Sequence, residues 1–191
     1  MRKEDTPSFL AHFLTVRAAP LLEAFRGWAQ AHVALRSEVL VTADHLSYKC
    51  REFREYDELR SRFEEYADGG WRGCRFIYQS IISGRRVSVI GLTEGIRTPF
   101  GDLRVLELAE PKTMAADPGG FDHVEVFSPF VGIDQLAELF RRSGQPFVKK
   151  ERPHHMTWDA RIPVDPSSGR PDVTVRLTDE PLAAKIGREM L

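Results

Sequence analysis

Two short stretches decide how this chain reads: Ala43-Asp44-His45-Leu46-Ser47-Tyr48 and Phe121-Asp122-His123-Val124-Glu125-Val126. Each sets an Asp-His pair on the alternating apolar/polar pattern of a β-strand. The two histidines lie 78 residues apart. Around each, the surrounding pattern recurs in the same order. Alternation from Glu38 to about Cys50 predicts a strand, and Glu55, Tyr56, Leu59, Phe63 and Tyr66 predict a helix over 55–67 that ends at Gly69-Gly70. Strands follow at Cys74–Ile82, Val87–Leu92 and Leu103–Leu108, with turns at Ser83-Gly84-Arg85-Arg86 and Thr98–Asp102. After a linker at 112–120 the second copy runs strand Phe121–Phe127, helix Asp134–Arg142, strands Pro146–Lys150 and Met156–Ile162, a turn at Asp165–Gly169 and strand Val173–Leu177. The expected fold is α+β: two tandem βαβββ modules, 38–111 and 120–178, in a curved mixed sheet around a cleft. A helical extension (1–37) precedes them and a helix (179–191) follows.

The extension shows helical spacing at Phe9, Leu10, Phe13 and Leu14 and again from Leu21 to His32. Pro20 suits the first turn of a second helix. Pro181 plays the same part in the last helix, with Leu182, Ile186 and Met190 on one face.

The 191 residues, 42% hydrophobic and 10% aromatic, can fill a core. With 27 basic and 28 acidic residues the net charge is −1, which gives no electrostatic footprint for nucleic acid or an anionic membrane. Cys50 and Cys74 form no CxxC pair, and two cysteines do not make a disulfide scaffold. The amphipathic start predicts no signal peptide, and no run reaches the about 18 apolar residues that span a bilayer. A cytoplasmic protein is expected, and a homodimer is left open.

Aligning the copies pairs Gly101-Asp102-Leu103-Arg104-Val105-Leu106-Glu107-Leu108 with the stretch that ends Thr174-Val175-Arg176-Leu177, so Glu107 corresponds to Arg176. The arrangement resembles the vicinal-oxygen-chelate superfamily of glyoxalase I, bleomycin-resistance proteins and extradiol dioxygenases. More closely, Thr42-Ala43-Asp44-His45, Val105–Leu108, Phe121–Glu125 and the leading helices resemble its YecM-like branch. The resemblance covers 38–178. It implies a cleft with a metal held from the first and fourth strands of each module, hence by His45, Glu107 and His123. Arg176 departs from the pattern, because arginine cannot ligate a metal. Two imidazoles and a carboxylate suit a divalent ion: iron, manganese, zinc or nickel.

The ligand or substrate expected in such a cleft is a small oxygenated, anionic molecule. Metal-dependent isomerase, lyase or dioxygenase chemistry stands beside a metal-free binding module and a protein-interaction domain docking through residues 8–36. Glu125 and Arg176 are the candidate catalytic residues. Glu125 shares His123's face and acts there as a base or, in the commoner use of such a carboxylate, in an ion pair. Arg176 grips a substrate carboxylate or phosphate, pairs with Glu107 and fills the site, or points away. Strict alternation turns Asp44 and Asp122 to the opposite face, where they read as strand-edge or helix-packing partners first and as supports of the ligating histidines second. Tyr48, Tyr78 and Trp158 are candidates to line the cleft. His154-His155 reads as a surface pair.

Overall fold

A computed structural model describes residues 12–68, 74–82, 84–112, 119–151, 156–164 and 172–189. Its strands are β1 (Thr42–Lys49), β2 (Cys74–Ile82), β3 (Arg85–Thr98), β4 (Gly101–Ala109), β5 (Gly120–Phe127), β6 (Val148–Glu151), β7 (Met156–Ile162) and β8 (Val173–Leu177). Its α-helices are α1 (Ala19–Ala31), α2 (Phe53–Asp68), α3 (Ile133–Arg142) and α4 (Leu182–Glu189). The elements fall in the order read from the sequence. The larger differences are a β3 that runs six residues past Leu92 and a β1 that starts later. His154-His155, Gly69-Gly70 and the 165–169 turn lie outside the described residues.

All eight strands form one sheet in the order β2-β3-β4-β1-β5-β8-β7-β6. Within each half the first strand lies parallel to the fourth, β1 to β4 and β5 to β8, and the halves meet antiparallel along β1 and β5. The sheet therefore has a pseudo-twofold axis between β1 and β5, and the two modules pair within one chain. Gly119 ends the linker at φ +63°, and a Cβ there would collide with Arg51 just past β1, so only glycine fits.

Alternation places Leu46, Leu106, Leu108, Val124, Val126, Val175 and Leu177 on one face, all 1% exposed or less. Helices α1, α2 and α3 pack on the sheet from that side, as Tyr56 of α2 shows by bonding Ser88, whose strand neighbour is Leu108. The N-terminal segment is wedged into the same core. Trp28 of α1 packs on Phe100 of the first module and on Phe140 and Phe147 of the second, at centroid distances of 5.7, 5.2 and 6.3 Å. Its indole N–H donates to Gln145 at 3.1 Å. Phe13 sits between Tyr48, Phe63 and Phe121. Pro20 falls in the first turn of α1, where its missing N–H has no intrahelical partner to lose. No helix among the described residues is long and apolar enough to cross a membrane.

Candidate metal centre

The face opposite α1, α2 and α3 carries the polar residues, and the register orders them into two neighbouring rows. One runs Val105, His45, Glu125, Arg176, Asp159 across β4-β1-β5-β8-β7. The next runs Tyr78, Val89, Glu107, Ser47, His123, Thr174, Arg161 across β2-β3-β4-β1-β5-β8-β7. His45 and His123 thus stand on adjacent central strands, displaced along them by one row. Their rings are 5.7 Å apart at 74°. The same registers set Glu107 beside Ser47 and Arg176 beside Glu125, so Glu107 and Arg176 occupy equivalent places in the two halves.

One ligand atom each from His45, Glu107 and His123 lie within 4.8 Å of one another. Both histidines are buried, at 1% and 4% exposed. The Nδ1 of His45 meets Asp44 Oδ2 at 2.8 Å, and the Nδ1 of His123 meets Asp122 Oδ2 at 2.8 Å. Here the sequence reading needs correction, because it sent both aspartates to the other face. Each is the extra residue of a β-bulge. Between Ala43 and His45 the partner strand advances one residue, leaving Asp44 unopposed; between His123 and Phe121, Asp122 is left out in the same way. A bulge breaks the two-residue alternation and re-aims a side chain. Each aspartate therefore swings beside the histidine that follows it, fixes its ring and leaves Nε2 as the nitrogen turned away from it.

The two halves use that atom differently. His45 Nε2 is buried and has no hydrogen-bond partner. His123 Nε2 accepts from Arg176 Nη1 at 2.9 Å. Arg176 also donates through Nε to Asp159 Oδ1 at 2.9 Å and lies 3.4 Å from Glu125 Oε1. Its partners are thus His123, Asp159 and Glu125, and these stand in place of Glu107, the partner in one of the three readings of this arginine. Glu107 is held by Ser47 Oγ, which donates to Oε1 at 2.7 Å.

The electrostatics follow the burial. Desolvation opposes a charge on His45, but Glu125, Asp44 and Glu107 overcome it and lift its pKa to about 9. Desolvation also opposes ionised Glu107 and Glu125. The two histidines, joined by Lys185 in the case of Glu125, keep both below the usual carboxylate range. Asp122 is held far down by His123 and Lys49 against the same penalty. Buried carboxylates around an imidazole nitrogen with no hydrogen-bond partner are a surrounding that a divalent cation would stabilise. Two nitrogens and a carboxylate oxygen with aspartates behind the rings is a donor set for such an ion. The residues present fit the group. A second set, Asp44, His45 and Glu125, shares His45. It is a hydrogen-bond network, since Asp44 already holds the Nδ1 of that ring.

α4 abuts the site. The backbone N–H of Leu182 donates to Asp44 Oδ2 at 2.8 Å, and Lys185 Nζ lies 3.8 Å from Glu125 Oε2. Sequence reasoning missed Lys185, because a terminal helix carries no mark of where it docks. It missed Asp159, because only the β7–β8 register brings it to Arg176. The Asp44/Asp122 role had a signal, the identical Asp-His dipeptide in both copies. Of the aromatic candidates, Tyr78 belongs to the Glu107 row. Tyr48 is instead in the core, with its hydroxyl on Glu55, and Trp158 faces α3, donating to Asp134 at 2.9 Å.

Residues 26–186 match the sequence profile of the family described as YecM protein. No curated protein matches the chain. Among solved structures, one described as structural-genomics protein EC4020 is similar over 90% of both chains, at 19% identity and a TM-score of 0.59, a likeness of fold. Methylmalonyl-CoA epimerase from Mycobacterium tuberculosis aligns over 77% of this chain and 94% of its own, with 16% identity and a TM-score of 0.45. A hydroxyglutarate synthase from Oryza sativa, in complex with 2-oxoadipate, aligns over 92% and 82%, with 9% identity and a TM-score of 0.49. The sequence resemblance and the paired-module fold agree with the profile: this chain belongs to the YecM protein family.

Proposed function

We propose that the chain binds one divalent metal ion through His45 Nε2, His123 Nε2 and a Glu107 carboxylate oxygen, and acts there on a small, oxygenated, anionic molecule. The observation that carries this reading is the Nε2 of His45. A buried imidazole nitrogen with no partner is costly, and this one is aimed by Asp44 toward Glu107 and His123. When bound, the ion would supply Lewis-acid polarisation of a carbonyl or enediolate oxygen. The chain's own groups do the rest. Asp44 and Asp122 hold the imidazoles in orientation and tautomer. Ser47 fixes Glu107. Glu125 is the carboxylate placed to exchange a proton on that face. Its cationic neighbours, His45 foremost and Lys185 after His123, make it a weak base until one of them is withdrawn.

A second reading is a metal-free binding cleft. It is favoured by the bond from Arg176 to His123, which satisfies one of the two ligating nitrogens without an ion.

Metal analysis of protein purified without chelator separates the two. The first reading expects close to one equivalent of a divalent ion, retained by wild type and lost in both His45→Ala and His123→Ala. Less than about a tenth of an equivalent, unchanged after supply of Fe(II), Mn(II), Zn(II) or Ni(II), would leave the metal-free cleft.

A further inference from the structure

We propose that Arg176 is a latch on the metal site: it holds the nitrogen of His123 that an ion must take, and an ion that displaces it frees its guanidinium to bind an oxyanion beside the metal. This rests on the metal site proposed above.

The imidazole of His123 has two nitrogens, and Asp122 engages Nδ1. Nε2 is the remaining lone pair, and Arg176 Nη1 sits on it at 2.9 Å. One lone pair serves a guanidinium or a metal ion, not both. Ion binding at His45, Glu107 and His123 therefore has to break this bond. His45 has no such hydrogen bond to break, since its Nε2 is without a partner.

Displacement would not cast the arginine loose. Its Nε is anchored separately to Asp159 at 2.9 Å, on the neighbouring strand. The guanidinium can pivot about that anchor and present its outer N–H groups to the space in front of the ion. Its planar fork matches a carboxylate or a phosphate, and a bidentate pair in a site only 15% exposed is a strong contact. The position is also the one that, by the pseudo-twofold, would hold the counterpart of Glu107. Where symmetry would give a further anionic ligand, the chain places a cation. An incoming oxyanion would supply the negative group instead.

The test uses Co(II), whose visible absorption reports its ligands, with malonate and inorganic phosphate as oxyanion probes. Calorimetric titration compares the wild type with Arg176→Met and Arg176→Lys. Removing the latch should tighten Co(II) binding about tenfold in Arg176→Met, the scale of one lost competing hydrogen bond. The Co(II)-loaded wild type should then bind malonate or phosphate with a change in its visible spectrum, and whichever binds tighter identifies the anion class. Metal-free wild type should bind at least about tenfold more weakly, and so should Co(II)-loaded Arg176→Met, which lacks the fork. Arg176→Lys keeps a charge opposite Glu125 and Asp159, so it is the variant to read if Arg176→Met folds poorly. It should bind Co(II) more tightly than wild type and the anion more weakly.

Equal Co(II) affinity in wild type and both variants would overturn the latch while leaving the metal site standing. So would equal anion affinity with and without Co(II). Binding of Co(II) by Arg176→Met but not by wild type would support a latch stronger than expected. Failure of all three proteins to bind Co(II) would remove the metal site, and the latch with it.

Discussion

The half of the sheet centred on His45 and the half centred on His123 share strand order, register, a bulged aspartate and an oriented imidazole. They diverge at two equivalent places. Ser47 and Glu107 in the first half stand where Glu125 and Arg176 stand in the second. The first half thereby ends in a carboxylate and an open ring nitrogen. The second ends in an ion pair and a ring nitrogen already engaged. A duplicated scaffold fixes where side chains meet, while the residues at two positions decide whether a half offers ligands or positive charge. α1 belongs to neither half and joins both through Trp28.

That shared helix gives the severest test of treating the halves as one unit. Trp28→Ala should destabilise the fold by about 3–5 kcal/mol, the cost of removing a large buried aromatic. Circular dichroism and tryptophan fluorescence should still report a single coincident unfolding transition. Two separate transitions would mean that the halves are independent domains.

The aspartates sharpen the comparison next. Asp44 is buried and also receives the Leu182 N–H, whereas the Asp122 side chain is 29% exposed and shares its charge with Lys49. Asp44→Asn should weaken Co(II) binding toward the upper end of the about 10–100-fold range for residues that orient a ligating histidine. Asp122→Asn should lie near the lower end. Equal losses by calorimetry would show that burial behind the ring does not matter.

The smallest effect comes from making the halves alike. Glu125→Ser with Arg176→Glu copies the first half into the second, removing the competing guanidinium and adding a carboxylate. Co(II) affinity should rise about tenfold, the scale of one competing hydrogen bond. A fall would mean that Arg176 supports the site rather than competing for it.

Much of this was legible in the chain because the repeat is local. Period-two alternation places His45 and His123, and matching the copies pairs Glu107 with Arg176, as the parallel registers of β1–β4 and β5–β8 bear out. The aspartates were misread because alternation assumes an unbroken ladder, and a bulge appears only once two strands are paired. The partners of Arg176 were also beyond reach, since Asp159 meets it across β7 and β8. Lys185 arrives on a helix whose docking depends on tertiary packing. Residues 8–36 read as a docking element or simply as helices packed on the sheet, and the burial of Phe25 at 0% and Trp28 at 8% puts α1 in the core.

The central claim is that one ion joins the two histidines. The most direct measurement is anomalous diffraction at the cobalt edge from crystals grown with Co(II). The account predicts a single peak about 2.0–2.2 Å from His45 Nε2, His123 Nε2 and a Glu107 oxygen, with Arg176 Nη1 moved off His123. No peak at that place, with Arg176 still bonded to His123, would contradict it.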